Sequence, residues 1–416
     1  MKILHVNATD YGGAAKAAFN LMNALEKIGH SSVLCVGNRK SSDNRVIELD
    51  RDTNPLRFKM KRLFFNSIGL PDWRFRERTI SLTDKKYFLD ADIVHLHNIH
   101  GYYFDYRVLP FLAAKKPVVW SLHDMWALTG YCAYSYDCAR WKKGCGKCPQ
   151  YNDRKFREPP AVGMDMTGIN WRQKKMAFKK AKPLLVVICE AYEKMCGESP
   201  ITMNLDCRVI SYGLDTELFS PIEKQKARKE LGLNHDNKIL MSIPSPGRKG
   251  LDILSRIILK LENIGNLTVI VAGGYKLPYK SKNKIDLVYV DYIDSDRLLN
   301  LYYSAADLFL LPSRADNVPL TLSEAILSGT PCVTFNVGGI STVVPHLECG
   351  YLAKPLDEDD FVNGIKLLLN DNELRLKCSR NARIHGVKNF DSMNSAKLYA
   401  SLYEEAYKKF WKKKCE

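Results

Sequence analysis

Short apolar runs of strand length alternate with stretches of helical period through most of the chain, and turn residues punctuate the joins. Leu308-Phe309-Leu310-Leu311 has the length and content of a buried strand, and Pro312, Ser313, Asp316 and Asn317 break it. A helix is expected from near Pro319, because proline is tolerated in a first turn where its missing N–H would be unpaired anyway. Asn317 is its expected cap and Gly329 its expected stop. A second apolar run, Cys332-Val333-Thr334-Phe335, follows. Strand, loop, helix and strand within about 30 residues make a βαβ unit, with parallel strands and a right-handed crossover. The same alternation predicts strands at 2–8, 32–36, 92–97, 117–123, 183–188, 208–212, 238–243, 267–272 and 287–290. Helices are expected at 14–28, 248–261, 296–305, from 359 onward and, last and basic, at 395–414. The fold class is therefore α/β, and 416 residues suffice for two domains with a core each.

In such sheets ligands gather outside the carboxyl ends of the strands, so the loop with Asp316 and Asn317 should face a cleft. The helix start behind it offers free N–H groups to a phosphate or carboxylate. Asp316 and Glu324 lie eight residues apart, and each carboxylate can accept two sugar hydroxyls; the plainer reading is a helix cap and a solvated acid. Arg248 and Lys249, at the start of another helix, form an anion site by side-chain charge and by backbone N–H groups, able to neutralise a leaving diphosphate without a metal. Gly12 and Gly13 join the first strand to the first helix and let a diphosphate or sugar approach the backbone. They do not form G-x-G-x-x-G, so a dinucleotide fingerprint is absent. His123 stands just past a strand's carboxyl end, where a neutral imidazole could donate to a sugar hydroxyl. His95, His97 and His100 read as packing and loop residues rather than metal ligands. Asp90-Ala91-Asp92 leads into a strand and is discounted as a metal motif.

Lys plus Arg outnumber Asp plus Glu by 62 to 46, a net charge of +16, which nucleic acid, an acidic lipid surface or a nucleotide diphosphate could balance. Residues 57–65 and 71–76 interleave cations with large apolar side chains. That composition suits anionic headgroups, stacking on nucleic acid, or packing on the segment's own domain. No run approaches the roughly 18 apolar residues of a membrane span, and the N-terminus reads as a strand rather than a signal peptide. The expected location is the cytoplasm. Of twelve cysteines, Cys132, Cys138, Cys145 and Cys148 fall within 17 residues and close with a Cys-x-x-Cys turn. Two readings fit them: a closed, structural four-thiolate zinc site, or reduced packing thiols.

Asp316, seven residues, Glu324 and then Ala325-x-x-x-Gly329-Thr330-Pro331 together resemble the donor-site motif of family-four retaining nucleotide-sugar glycosyltransferases, which have the GT-B fold. The family's first acid is usually glutamate; here it is aspartate. The resemblance implies that Glu324 holds the ribose hydroxyls and Asp316 faces the transferred sugar. It implies that Lys249, and Arg248 by position, bind the diphosphate, and that Gly12 and Gly13 lie beside the donor phosphates and the acceptor. His123 would then lie beside the donor sugar, and Gly338 and Gly339 would reach the donor through their backbone. Where the family commonly has Pro-Glu, this chain has Ser341-Thr342. Residues 213–221 resemble the family's interdomain segment. This implies an acceptor domain at 1–218 with a four-cysteine insert at 130–150, a nucleotide-sugar domain at 219–392, both Rossmann-like, and a helix at 393–416 returning to the first.

The expected function is transfer of a sugar, with retention, from a nucleotide-diphosphate sugar to a saccharide or polyprenyl-linked acceptor in surface polysaccharide assembly. The expected place is the inner face of the cytoplasmic membrane, with no cofactor for catalysis. A GT-B epimerase or hydrolase acting on the nucleotide sugar is the alternative within enzymes. A nucleic-acid binder using the four-cysteine module is the alternative outside them.

Overall fold

The described residues of the computed structural model, 1–50, 54–151, 163–278 and 285–415, contain seven strands in one sheet and six in another, every pairing parallel. The first sheet holds β1 (Lys2–Thr9), β2 (Ser31–Asn38), β3 (Val46–Glu48), β4 (Ile93–Leu96), β5 (Val118–Ser121), β6 (Leu184–Val187) and β7 (Cys207–Val209), in the order β3-β2-β1-β4-β5-β6-β7. The second holds β8 (Lys238–Ser242), β9 (Leu267–Ala272), β10 (Ile285–Val290), β11 (Leu308–Leu311), β12 (Cys332–Phe335) and β13 (Gly350–Ala353), in the order β10-β9-β8-β11-β12-β13. Every residue of β4, β5, β9, β11 and β12 is buried. Strands covered on both faces read as continuous apolar runs, which is why these were legible.

Each sheet winds outward one way and then reverses. The reversal lies between β1 and β4 in the first sheet and between β8 and β11 in the second. The carboxyl ends of the strands at such a reversal are where open α/β sheets bind ligands.

The chain divides into two compact units, Met1–Gly213 with Met393–Glu416, and Leu214–Ser392. The first unit ends at Gly213, earlier than residue 218, because Leu214 is already tied to the second unit: its N–H donates to the Phe390 carbonyl (2.8 Å) and its carbonyl accepts from Ser392 (3.0 Å). The final helix, Ser392–Cys415, puts Ala396, Tyr399, Leu402 and Tyr403 into a first-unit core with Ile3, Ile93, Val119 and Val186. In the second unit the helices Leu251–Leu259 and Glu358–Asn370 supply Ile257, Phe361 and Ile365 to a core with Leu240, Val269 and Leu310.

Two helix starts differ from expectation. The helix after β11 is Leu320–Leu327, Pro319 occupies its cap position, and no side chain caps it. Asn317 is therefore not the cap; it is spent on knitting loops together. Helix Leu251–Leu259 begins only after Gly250, so Arg248 and Lys249 lie in a preceding 3-10 turn, Gly247–Lys249, and not in the helix. The cause is a close approach. Gly250 has φ +68, and a Cβ there would stand 2.0 Å from the Pro312 carbonyl oxygen, so only glycine lets the β8 loop lie against the β11 loop.

Candidate functional site

In the second unit the loops after β8, β11 and β12 are bonded to one another. An Arg248 Nη1 lies 2.8 Å from Asp316 Oδ2 and also donates to the Ala315 carbonyl at 3.1 Å. The Arg314 N–H donates to the Arg248 carbonyl (2.8 Å), and its guanidinium bonds the Gly247 carbonyl and both carboxylate oxygens of Asp252. The hydrogen bond from Arg314 pulls the Asp252 carboxyl down to about 2. The β12 loop closes the set: Gly339 N–H donates to the Asn317 carbonyl (3.1 Å), and Gly338, at φ +57, would put a Cβ 1.8 Å from the Asp316 carbonyl oxygen. Arg248, Asp316, Asn317, Gly338 and Gly339 are thus brought together by direct contact. Lys249, half-buried, shares the 3-10 turn of Arg248.

Glu324 sits in the helix that follows, 1% exposed, with Oε2 accepting from the Tyr303 hydroxyl at 3.0 Å. It is a buried acid held in one orientation, not a solvated one. Tyr303 comes from helix Asp296–Ala305, and burial together with the adjacent Glu324 keeps its phenol protonated. Nothing in the sequence singled it out.

In the first unit Gly12, at φ +84, takes the cap position of helix Gly13–Lys27. Among the described residues, no atom beyond the adjoining chain lies within 4 Å of where a side chain on Gly12 or Gly13 would begin. His123, half-buried at the end of β5, has both ring nitrogens engaged: Nε2 with His97 Nδ1 (2.9 Å) and Nδ1 with the Tyr212 hydroxyl (2.7 Å). The expected donation from this imidazole to a sugar hydroxyl therefore requires exchanging a protein partner for the ligand. His97 Nε2 continues the chain to His5 Nδ1 at 3.0 Å, and His5 Nε2 is buried with no partner among the described residues. An unpartnered lone pair costs less in the interior than an unpartnered N–H. That preference orients the whole line, His5 donating to His97, His97 to His123, and His123 to Tyr212. Burial holds these imidazoles neutral, His123 down to about 4 and His5 to about 3.

His95 bonds Ser121 (2.8 Å) and the Tyr403 hydroxyl (2.7 Å). Among the described residues, His5, His95 and His97 are the set whose ligating atoms all lie within 4.8 Å of one another. Their nitrogens are nearly all engaged in hydrogen bonds. His100 is different: it pairs with Asp124 at 2.7 Å. Burial opposes its charged form, but Asp124 outweighs burial and raises its pKa.

Cys132, Cys138, Cys145 and Cys148 are in no disulfide and line one pocket of about 20 Å³ with Trp141 and Thr167. Room of that size holds one water or one ion. Lys174, in helix Thr167–Ala181, lies beside them and was not foreseen.

Two family models match the chain: Glycosyltransferase Family 4 over residues 11–148 and Glycosyl transferases group 1 over 223–385. It is 24% identical over 261 residues to the putative colanic acid biosynthesis glycosyl transferase WcaC of Escherichia coli K12, covering 58% of this chain and 59% of that protein. The chain spans about half to three fifths of the length of the curated relatives it matches. The sucrose-phosphate synthase of Thermosynechococcus elongatus superposes with TM-score 0.69 at 19% identity, covering 98% of this chain and 99% of that one. Anabaena HepE, solved in complex with UDP-glucose, does so with TM-score 0.63 at 15% identity, over 97% and 100%. Two reversing parallel sheets, the two family models and these superpositions agree: the chain belongs to the family-4 glycosyltransferases of GT-B fold.

Proposed function

We propose that this protein transfers a sugar, with retention of anomeric configuration, from a nucleotide-diphosphate sugar to a saccharide or polyprenyl-linked saccharide acceptor in surface polysaccharide assembly. The observation that carries the reading is the bonded set of loops at the β8/β11 reversal, where Arg248, Lys249, Asp316 and the Gly338–Gly339 backbone share one place.

Negative charge grows on the diphosphate as its bond to the sugar breaks, and fixed cations aimed at it lower the barrier. Lys249 takes that part. Arg248 shares its charge with Asp316 and so both orients this acid towards the sugar hydroxyls and adds to the positive field. Glu324, already stripped of water and braced by Tyr303, accepts the ribose hydroxyls. The open helix start at Gly12 and Gly13 suits the acceptor side or the phosphates, and His123 steadies the sugar. No carboxylate is assigned as a nucleophile; departure and attack on one face of the sugar need none.

The acceptor's lipid is suggested by helix Pro55–Ser67. None of its residues is buried, and Leu56, Met60, Leu63 and Phe64 form one exposed stripe at helical spacing. Arg57 and Lys59 border that stripe, which suits an anionic bilayer surface. No described helix is long and apolar enough to cross a membrane.

A thermal-shift screen of UDP-, GDP- and ADP-sugars tests the donor site. A ligand at 100 times its dissociation constant should stabilise by about 2.7 kcal/mol, and Glu324→Ala should abolish the shift. A shift that survives this substitution removes the donor assignment. The anomer of the product, read by NMR, decides retention.

A further inference from the structure

We propose that Cys132, Cys138, Cys145 and Cys148 bind one zinc ion as a closed four-thiolate site, with buried Lys174 as its counter-charge. Three observations on this unit support it. The first is placement: four cysteines outside any disulfide line one small pocket, although their sulfurs do not yet lie within 4.8 Å of one another. In the Cys-x-x-Cys turn, Gly146 (φ +129) and Lys147 (φ +47) are both left-handed, and the Gly130 N–H points at Cys145 Sγ, 3.2 Å away. A lysine held at positive φ is a strained arrangement that needs something to maintain it.

The second is what surrounds the thiols. Between β5 and helix Thr167–Ala181 the described residues hold only two 3-10 turns, Met125–Ala127 and Arg140–Lys142, with no strand or α-helix. A long connection with little regular structure is uncommon in a compact unit and usually carries a function of its own. Here the described part is buried almost continuously from Asp124 to Tyr131 and again at Trp141.

The third is charge. Lys174 is 1% exposed; its Nζ donates to the Trp126 (2.6 Å) and Thr129 (3.0 Å) carbonyls and lies 3.3 Å from the centre of the Trp126 ring. Among the described residues no carboxylate stands within ion-pair distance of it. Its electrostatic neighbours are Asp72, Cys145, Cys132 and Asp124. A buried lysine without an ion pair keeps its charge only with help from a nearby anion. Zinc with four thiolates carries two negative charges and would supply the missing anion. Each thiol that binds gives its proton to solvent, and the sulfurs draw in to about 2.3 Å from the metal. Because Lys174 grips the Trp126 and Thr129 carbonyls, the ion would also fix the segment that starts at His123 and Asp124.

The test is metal content of the purified full chain, followed by release of Zn2+ to a chromogenic chelator. About one zinc per chain is expected, with Co2+ substitution giving thiolate charge-transfer bands. Cys145→Ser/Cys148→Ser should hold almost none, while Cys415→Ser, at an exposed thiol, keeps it all. Should the paired variant fold poorly, Lys174→Met provides the second reading: release faster by about 10- to 100-fold, the scale seen when a metal's outer partners are removed. A chain that carries no zinc and titrates as free thiols overturns the proposal. So does zinc that stays in the cysteine variant and leaves with His5→Ala, or a Cys145–Cys148 disulfide in place of metal. An unchanged release rate in Lys174→Met removes the lysine from the site.

Discussion

The two sheets are alike in topology, yet the groups at their reversals are chemically opposite. At β8/β11 the loops are tied by charge: Arg248 to Asp316, Arg314 to Asp252, with glycines allowing backbone to touch backbone. At β1/β4 the neighbouring side chains are neutral imidazoles and phenols handing hydrogen bonds along a line, His5, His97, His123 and Tyr212. The first arrangement suits an anion whose charge changes during reaction. The second suits a neutral, hydroxyl-bearing group that must be oriented without adding charge. One architecture thus carries two chemically different loop sets at its reversals.

The comparison breaks most visibly at Lys249. Lys249→Ala should lower turnover by about 10²- to 10³-fold, as loss of one fixed donor to developing charge does, with little change in melting temperature; steady-state kinetics with the donor identified by the screen measures it. Gly338→Ala attacks the backbone contact instead. A Cβ at φ +57 against the Asp316 carbonyl should cost about 2–4 kcal/mol, read as hydrogen exchange that quickens across 312–319 while the first unit keeps its protection.

Acid should separate the units. His5 and His123 take up protons readily only when unfolded, since burial lowers them to about 3 and about 4 in the fold. The unfolded chain therefore binds more protons below pH 6.5, and folded stability falls as pH drops from there through the lowered values. The slope approaches about 1.4 kcal/mol per pH unit for each histidine. The Asp124-supported His100 works the other way, its contribution being lost as pH rises through its raised value. None of the second unit's histidines, His235, His346 and His385, is buried. Acid melting followed by calorimetry should show the first unit failing first; simultaneous failure would deny the contrast. Smallest is Tyr212→Phe, about 1 kcal/mol for one hydrogen bond, with the His123 titration moved in NMR.

What the sequence disclosed follows from periodicity. Strands such as 308–311 and 267–272 lie between helices on both faces, so their apolar runs stand out. β3, three residues long, offers too little pattern to read. Helix Thr167–Ala181 escaped for a more instructive reason. Its buried stripe includes Asn170 and Lys174 beside Trp171 and Phe178, so the residues that would have announced an amphipathic helix were polar ones with interior partners. The acids and cations of the second unit were visible as motif residues, but not that Arg248 is bound to Asp316 or that Tyr303 braces Glu324. Those are pairings between distant segments, and no local spacing encodes them. His123 was found by its place at a strand end, whereas its partner Tyr212 lies 89 residues on.

The last helix has a consequence for synthesis. The Tyr399 and Tyr403 hydroxyls share hydrogen bonds with Ser121 and His95, and both rings help fill the core of the opening sheet. Translation delivers the opening sheet first, yet its interior stays incomplete until residues 393–416 have emerged. The middle of the chain, 214–392, can finish before either. Any attempt to express the opening half by itself should graft residues 393–416 onto residue 213, since a cut at the boundary alone would leave an apolar face bare.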